Sequence, residues 1–209
     1  MPDISVTDAV VRGGVVAVLR APTAGAFSAI SEVLVESGIT ALEVTLTSHG
    51  AIEAIAGLRR QLPEHVVVGA GTVLGADDAK ASVDAGAQFL VSPVAVAGLD
   101  GLGVPCYPGA LTPTEIVAAA RTGAPLVKLF PASAVGPSYL RDLHGPLPGL
   151  RVMPTGGIQI ADVAAWLTAG AAAVGLGGPL IGDAASGGSL GALADRARRA
   201  ADAVAYARS

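Results

Sequence analysis

The sequence is poor in several residue types, and each shortage excludes a class of protein. A single cysteine, Cys106, leaves no partner for an internal disulfide and too few thiols for a multi-cysteine metal cluster. Aromatic residues make up only 3% of the chain, so surfaces on which nucleobases stack are scarce. The net charge of −4 indicates no basic patch, and we therefore expect no nucleic-acid partner.

Signals for membranes and secretion are also lacking. Glycine, proline or charge interrupts every apolar run before it reaches the length of a membrane span, about eighteen residues. No basic segment leads into an apolar one at the start of the chain, so we predict no signal peptide. With 52% hydrophobic and 14% charged residues, the composition is that of a globular protein, which we expect to be cytoplasmic and to have no membrane partner.

Apolar segments alternate with helical segments along the chain, a pattern that predicts parallel strands. Four of the predicted helices end at a glycine just before a strand, at Gly38, Gly86, Gly123 and Gly170. The predicted strands cover residues 15–20, 41–46, 66–72, 89–93, 105–109, 126–131, 151–157 and 173–178. We therefore predict an α/β fold, a single (β/α)8 TIM barrel over residues 1–209, with an N-terminal helix and a C-terminal helix.

An open, doubly wound sheet is the alternative fold. Its usual cofactor signal is missing, because no glycine-rich dinucleotide fingerprint follows the first strand. In the barrel, a short helix around residues 94–100 is expected to connect the fourth strand to the fifth.

Lys128 is one of only two lysines in the chain, and it lies at the centre of an apolar strand. Burying an ammonium group is costly, and a lysine without its extra proton is a nucleophile toward a carbonyl carbon. The other lysine, Lys80, lies in a polar helix that we expect to face water. The structural alternative for Lys128 is a side chain that reaches water or a carboxylate at the strand end.

Glu43 is the only carboxylate that interrupts an apolar strand. Strand alternation places Glu43 and Thr45 on one face, which we predict to point into the barrel because bulky residues occupy the other face. A buried Glu43–Lys128 ion pair would contribute little stability, since desolvation can exceed the attraction between the charges. Two buried ionisable groups at the mouth of one barrel more often mark a functional site.

Glycine-rich loops follow the last two predicted strands. The segment Thr155-Gly156-Gly157 precedes a helix whose backbone N–H groups would point at an anion, and Gly177-Gly178 would form the second half of the site. In (β/α)8 barrels these two loops commonly bind phosphate. The three histidines are not at ligand spacing, so we predict no metal site.

Several segments, in order along the chain, together resemble one enzyme family. The chain resembles the bacterial 2-keto-3-deoxy-6-phosphogluconate (KDPG) aldolases, which also include 4-hydroxy-2-oxoglutarate and 2-keto-3-deoxy-6-phosphogalactonate aldolases. The matching segments are residues 16–20, 42–45, 69–73, 91–93, 108–109, 128–131, 135–137 and 154–157.

The resemblance implies a class I aldolase without a metal or cofactor, in which Lys128 forms a Schiff base with the keto carbon. It also implies that Glu43 shuttles protons. The pyruvate carboxylate would bind to Thr72 and nearby backbone, while Pro93 and Phe130 would wall the pocket. The substrate phosphate would bind to Thr155, Gly156, Gly157, Gly177 and Gly178. The family resemblance further implies a homotrimer.

The sequence departs from the family pattern at two positions. Many members have an arginine just after the second strand, where this chain has Thr47, and we hypothesise that Arg20 supplies the missing cation from the neighbouring strand. A serine often follows the glycine of the last strand, where this chain has Gly178. The substrate is therefore less defined by the resemblance than the reaction.

Three other functions fit parts of the pattern. The first is cleavage of the galactonate epimer of the substrate. The second is a sugar-phosphate isomerase or decarboxylase that uses Glu43 and Lys128 only as acid and base. The third is a non-catalytic barrel that binds a phosphorylated ligand. The last two leave the ordered match along the chain unexplained.

Overall fold

The computed structural model of the protein describes residues 6–99 and 101–209. The strands are β1 (Val15–Leu19), β2 (Ala41–Thr45), β3 (Val67–Gly71), β4 (Leu90–Val91), β5 (Cys106–Tyr107), β6 (Gly109–Ala110), β7 (Val127–Leu129), β8 (Val152–Pro154) and β9 (Val174–Leu176). The helices are α1 (Val6–Gly13), α2 (Phe27–Glu36), α3 (Ala51–Gln61), α4 (Ala76–Asp84), α5 (Pro113–Arg121), α6 (Pro137–His144), α7 (Val163–Thr168), α8 (Gly178–Ile181) and α9 (Leu190–Arg208).

The strands pair in parallel in two sheets, which confirms the predicted α/β class. A curled six-stranded sheet has the order β5-β4-β3-β2-β1-β9, and a three-stranded sheet has the order β6-β7-β8. An isolated parallel bridge between Thr155 and Gly175 links the end of β8 to β9. Because all these strands run in the same direction, their carboxyl ends lie at the same edge, where parallel α/β folds bind their ligands.

Alternation along the strands creates two apolar clusters. On β1, Val15, Ala17 and Leu19 pack against the helices, while Val16 belongs to a separate inner cluster on the opposite face. On β2, Leu42 and Val44 likewise pack outward and Ala41 packs inward. The inner cluster consists of Val10, Val16, Ala41, Val67, Phe89, Val91, Tyr107, Leu126, Met153 and Ala173.

The structure differs from the sequence prediction between the fourth and sixth predicted strands. The predicted fifth strand is split into β5 and β6 around Pro108, which has no N–H for the ladder, although its carbonyl accepts from the Lys128 amide at 2.9 Å. The short helix predicted around residues 94–100 is absent from the described part of that segment, residues 94–99. Gly98 has a φ of +77°, which a right-handed helix does not allow. The last three predicted strands are therefore β7, β8 and β9.

The predicted N-terminal and C-terminal helices are both present and meet at the amino end of the strands. Thr7 of α1 lies 3.1 Å from the buried Tyr107 hydroxyl, and the Tyr107 ring stacks on Phe89 with the ring centroids 5.5 Å apart. Arg208 of α9 donates hydrogen bonds to two backbone carbonyls of α1, those of residues 11 and 12. These bonds satisfy carbonyl groups that the end of α1 would otherwise leave unpaired.

Among the described helices, none is both long and apolar enough to cross a membrane.

Candidate active site

Lys128 and Glu43 form a buried ion pair on the inner face of the strands. Lys128 on β7 is 3% exposed and Glu43 on β2 is 0% exposed, and the Lys128 Nζ lies 3.8 Å from the Glu43 Oε1. The residues beside Lys128, Val127 and Leu129, pack outward, so the alternation of β7 turns Lys128 inward. The structure therefore brings together the two ionisable residues that the sequence places in apolar strands.

The carboxylate of Glu43 has no hydrogen-bond donor among the described residues. Neither Oε1 nor Oε2 accepts a hydrogen bond from any of them, and the distance to Lys128 is too long for one. An unsatisfied buried carboxylate is costly, so this group is expected to interact with water or a bound molecule during function. The side chain of Glu43 packs against Gly71, where a Cβ atom would lie 2.0 Å from Oε1. Only glycine fits at position 71.

Phe130 covers one side of the lysine. The Lys128 Nζ lies 5.3 Å from the centroid of the Phe130 ring, within range of a cation–π interaction. The residue as a whole is 37% exposed, at the carboxyl end of β7. Phe130 therefore separates the amino group of Lys128 from the surface without sealing it.

Arg20 reaches Thr72 across the carboxyl ends of β1, β2 and β3. Its Nη2 donates a hydrogen bond of 3.0 Å to the Thr72 hydroxyl. Thr72 has a φ of +60°, which is rare for a β-branched residue and costs of order 1–3 kcal/mol. Such strained residues concentrate at functional sites. Thr47 is exposed, and its hydroxyl donates to Thr45, so it supplies no cation.

A cavity of about 200 Å³ opens beside the Lys128 side chain. The cavity extends from Arg20, at the carboxyl end of β1, to the two glycine-rich loops that follow β8 and β9. Its lining comprises Val18, Arg20, Lys128, Phe130, Thr155, Gly156, Gly157, Ile158, Gly175, Gly177, Gly178 and Pro179. Eight of the eleven site residues predicted from the sequence line this cavity; the other three are Glu43, Thr72 and Pro93.

The two loops are shaped by glycine at specific points. Gly156 and Gly157 have φ values of +96° and +75°, which residues with a side chain rarely adopt. Gly175 leaves room for the buried Thr155, whose Oγ1 a Cβ at position 175 would approach to 2.3 Å. A Cβ at Gly178 would meet nothing within 4 Å, so that side of the cavity is open.

Pro93 lies apart from this group. It lines a second cavity, of about 630 Å³, which contains apolar residues of the segment after β4 and shares Phe130 with the first cavity. Sequence reasoning also missed residues that form the site: Gly71, which admits the Glu43 side chain, and Gly175, which admits Thr155. Gly71 lies in the segment of residues 69–73 that resembles the aldolase family, but nothing in the sequence pattern links it to Glu43.

No described residues form a cluster of three or more His, Cys, Asp or Glu that could hold a metal ion. His49 and His65 are exposed, and the ring of His144 lies 3.0 Å from the Leu150 carbonyl, away from Lys128.

Comparison with known proteins identifies relatives over most of the chain. The family described as KDPG and KHG aldolase matches residues 6–187. A probable 2-dehydro-3-deoxy-6-phosphogalactonate aldolase of Rhizobium meliloti (strain 1021) is 33% identical over 90% of this chain and 92% of its own length. A 2-dehydro-3-deoxy-phosphogluconate aldolase of Treponema pallidum (strain Nichols) is 39% identical over 66% of this chain and 68% of its own.

A solved structure resembles this fold closely. It is the KDPG aldolase of Legionella pneumophila, with pyruvate captured at low pH as a covalent carbinolamine intermediate. The two structures superpose with a TM-score of 0.84 at 28% identity, over 92% of this chain and 96% of the Legionella chain.

Proposed function

Because this chain belongs to the KDPG and KHG aldolase family, we propose that it is a class I aldolase that cleaves KDPG to pyruvate and D-glyceraldehyde 3-phosphate. We propose 4-hydroxy-2-oxoglutarate, which would yield pyruvate and glyoxylate, as a second substrate. The observation that carries this proposal is the buried pair of Lys128 and Glu43 beside a cavity at the carboxyl ends of the strands. An amine and a carboxylate at this distance are the two groups that Schiff-base cleavage needs.

The chemistry assigns one role to each group. Lys128, as the free amine, attacks the C2 carbonyl carbon, and loss of water gives an imine. When the C3–C4 bond breaks, its electron pair moves into the protonated imine to form an enamine. Glu43 accepts the proton of the C4 hydroxyl as the aldehyde leaves. Protonation of the enamine at C3 and hydrolysis then release pyruvate and restore the amine of Lys128.

The carboxylate of the keto acid is assigned to Arg20 and Thr72. Both side chains lie near the carboxyl ends of their strands, their polar ends are 3.0 Å apart, and Arg20 lines the Lys128 cavity. A guanidinium pairs with a carboxylate through up to two charge-assisted hydrogen bonds. Arg20 thereby takes the place of the arginine that many family members carry where this chain has Thr47.

The phosphate is assigned to the glycine-rich loops of residues 155–157 and 177–178, which border the same cavity. Backbone N–H groups in such loops bind phosphate oxygens directly. Phe130 is assigned to the wall of the cavity beside Lys128. Pro93 is assigned to the wall of the second cavity, which adjoins the first because both cavities are lined by Phe130.

The Arg20 assignment is tested by Arg20→Ala and Arg20→Lys. Loss of a charged hydrogen-bond donor to the substrate is expected to raise the half-saturating pyruvate concentration by about 10- to 100-fold. Arg20→Lys, which keeps the charge but not the planar geometry, should recover part of the affinity. An unchanged pyruvate half-saturation in Arg20→Ala would remove Arg20 from the site.

The substrate is tested by measuring pyruvate release with a coupled dehydrogenase. We expect a higher kcat/KM for KDPG than for its galactonate epimer. The alternative, the galactonate series, is favoured by the Rhizobium meliloti relative, which matches 90% of this chain. A larger kcat/KM for the epimer would establish that alternative, and no pyruvate from any of the three keto acids would contradict the aldolase assignment.

We also propose that the two sheets belong to one closed (β/α)8 barrel and that residues 1–209 form one domain. Two features support closure: the bridge between Thr155 and Gly175, and the single residue, Pro108, that separates β5 from β6. A cytoplasmic location is proposed because a phosphorylated sugar acid is an anion that does not cross membranes unaided.

A homotrimer is the proposed assembly, in keeping with the family. Large apolar side chains at the carboxyl end of the strands remain exposed, namely Leu74 at 57%, Val94 at 52% and Phe130 at 37%. Exposed apolar groups of this kind are common where subunits meet. Light scattering coupled to size-exclusion chromatography should give three times the mass of 20.4 kDa.

A further inference from the structure

The pairing of β1 with β2 is interrupted at Arg20. The regular ladder ends at the pair Leu19–Val44 and resumes with the bridge between Thr23 and His49. The β1 side thus runs from residue 19 to 23 while the β2 side runs from 44 to 49, so the β2 side contains one extra residue. Such an extra residue disrupts the backbone hydrogen bonds of the ladder. Arg20 lies inside this gap.

Two side-chain hydroxyls replace the missing backbone bonds. The Thr45 hydroxyl donates to the Leu19 carbonyl at 3.0 Å, and the Ala21 amide donates to the Ser48 hydroxyl at 3.2 Å. Those two groups belong to the two peptide units on either side of Arg20. Thr45 and Ser48 are 0% and 2% exposed, so water does not compete strongly for these bonds.

The hydrogen bonds of Thr45 and Ser48 can be oriented, from donor to acceptor, in only one way. A carbonyl only accepts, so the single proton of the Thr45 hydroxyl is committed to Leu19. The Ser48 hydroxyl, 3.3 Å from the Thr45 oxygen, must then donate to it while accepting from the Ala21 amide. The chain of bonds runs from Ala21 through Ser48 and Thr45 to Leu19, and every member is satisfied.

We propose that Thr45 and Ser48 are positioning residues for Arg20: they hold both of its peptide units so that the guanidinium points at Thr72 and the keto-acid carboxylate. The inference rests on the proposed function. Arg20 is an exposed, long side chain that would otherwise lose much conformational freedom on binding a ligand. Fixing its backbone in advance lowers that cost, and the benefit should appear as tighter pyruvate binding.

The test is a double-mutant cycle that combines Ser48→Ala with Arg20→Ala. Pyruvate half-saturation is measured by the rate of borohydride trapping, and the rate of cleavage is measured at saturating KDPG. Ser48→Ala should raise pyruvate half-saturation by about 3- to 10-fold, the range for one lost neutral hydrogen bond, with the saturated rate within about twofold. In the Arg20→Ala background the same substitution should change pyruvate half-saturation by less than about twofold.

Conservative variants separate positioning from folding. Ser48→Thr and Thr45→Ser keep the hydroxyls and should retain wild-type half-saturation, whereas Thr45→Val should behave like Ser48→Ala. Ser82→Ala is the matched control, because Ser82, like Ser48, is a buried serine whose hydroxyl is hydrogen-bonded to the backbone. The Ser82 hydroxyl donates to the Asp78 carbonyl at 2.7 Å, and Ser82 lies on α4, away from Arg20. It should leave pyruvate half-saturation unchanged.

Two results would overturn the proposal, and they differ from failure of the aldolase assignment. Equal effects of Ser48→Ala with and without Arg20 would show that the hydroxyls act independently of Arg20. An unchanged pyruvate half-saturation in Arg20→Ala would show that Arg20 does not bind pyruvate, so Thr45 and Ser48 could not act by positioning it. In both cases pyruvate is still trapped on the wild-type enzyme, whereas absence of trapping on the wild type would contradict the proposed function itself.

Discussion

The two ends of the inner face use polar residues in opposite ways. At the amino end, the Tyr107 hydroxyl lies within hydrogen-bond distance of Thr7, and its ring stacks on Phe89 within the inner apolar cluster. At the carboxyl end, the equally buried Glu43 receives no hydrogen bond from any described residue. The inner face thus carries a satisfied polar group, on β5, at one end and an unsatisfied charged group, on β2, toward the other.

This difference distinguishes polar residues that stabilise the fold from polar residues that serve the function. A buried polar group that is fully paired is consistent with a structural role, and burial raises the pKa of Tyr107 to about 12, which keeps it neutral. A buried carboxylate and ammonium contribute little to stability even when paired. The strained φ of Thr72 lies at the same carboxyl end. An unsatisfied buried carboxylate and a strained backbone at the same edge of a sheet indicate that this edge is the functional one.

The largest expected effect comes from removing the amine. Lys128→Met should reduce turnover of KDPG by a factor on the order of 10^4 or more, since deleting a covalent nucleophile removes the reaction path. Lys80→Met is the matched control, because the other lysine is exposed and pairs with Asp84 on the same helix. Steady-state kinetics on both variants checks the prediction, and comparable activities would contradict it.

Glu43→Gln should reduce turnover by about 10^2- to 10^4-fold while the protein remains folded, because an amide has the same shape but cannot accept the substrate proton as a base. Measurement of kcat with KDPG, alongside Glu36→Gln at an exposed position of α2, separates this effect from a general one. Wild-type kcat in Glu43→Gln would assign proton transfer to another group.

Gly71→Ala tests the packing that holds the carboxylate. The new Cβ would lie 2.0 Å from the Glu43 Oε1, so the carboxylate must move, and a displacement of that size costs roughly 10^2-fold in rate. Gly57→Ala is the control, because a Cβ there meets nothing within 4 Å, and alanine favours the helix α3. A fully active Gly71→Ala would show that the position of Glu43 is not critical.

The smallest effect on activity is expected at the amino end. Tyr107→Phe should leave kcat unchanged but alter stability at high pH. Since the pKa of Tyr107 is about 12 in the folded state and 10.0 in the reference state, the unfolded chain loses this proton first as the pH rises. The free energy of unfolding should therefore fall between pH 10 and 12, by up to about 3 kcal/mol.

Urea unfolding at pH 8, 10 and 11 checks this prediction. The wild-type protein should lose more stability over that range than Tyr107→Phe, in which the titrating group is missing. If the free energy of unfolding depended on pH identically in the two proteins, ionisation of the Tyr107 hydroxyl would not be the cause of the loss of stability at high pH.

The sequence contained enough information to locate the central pair. Charged residues inside apolar strands are rare, and the period-two alternation of strands fixes the face on which Glu43 and Lys128 lie. The alternation of strands and helices similarly predicted parallel pairing, because adjacent parallel strands need a long crossover. These inferences depend only on local patterns.

Features that depend on distant contacts were not predictable in the same way. The network of Thr45 and Ser48 exists because of a gap in the ladder, which no local pattern reveals. The position of Pro93 in a different cavity depends on the path of the segment after β4. The break at Pro108 could have been anticipated, since proline cannot donate a hydrogen bond within a ladder.

Incubating the protein with pyruvate and borohydride, followed by intact-mass measurement and peptide mapping, tests whether Lys128 forms a Schiff base. We expect one reduced pyruvyl adduct per chain, located on Lys128 and absent from Lys128→Met. A folded protein that acquires no adduct, or acquires it on Lys80, would contradict the assignment of Lys128 as the Schiff-base lysine.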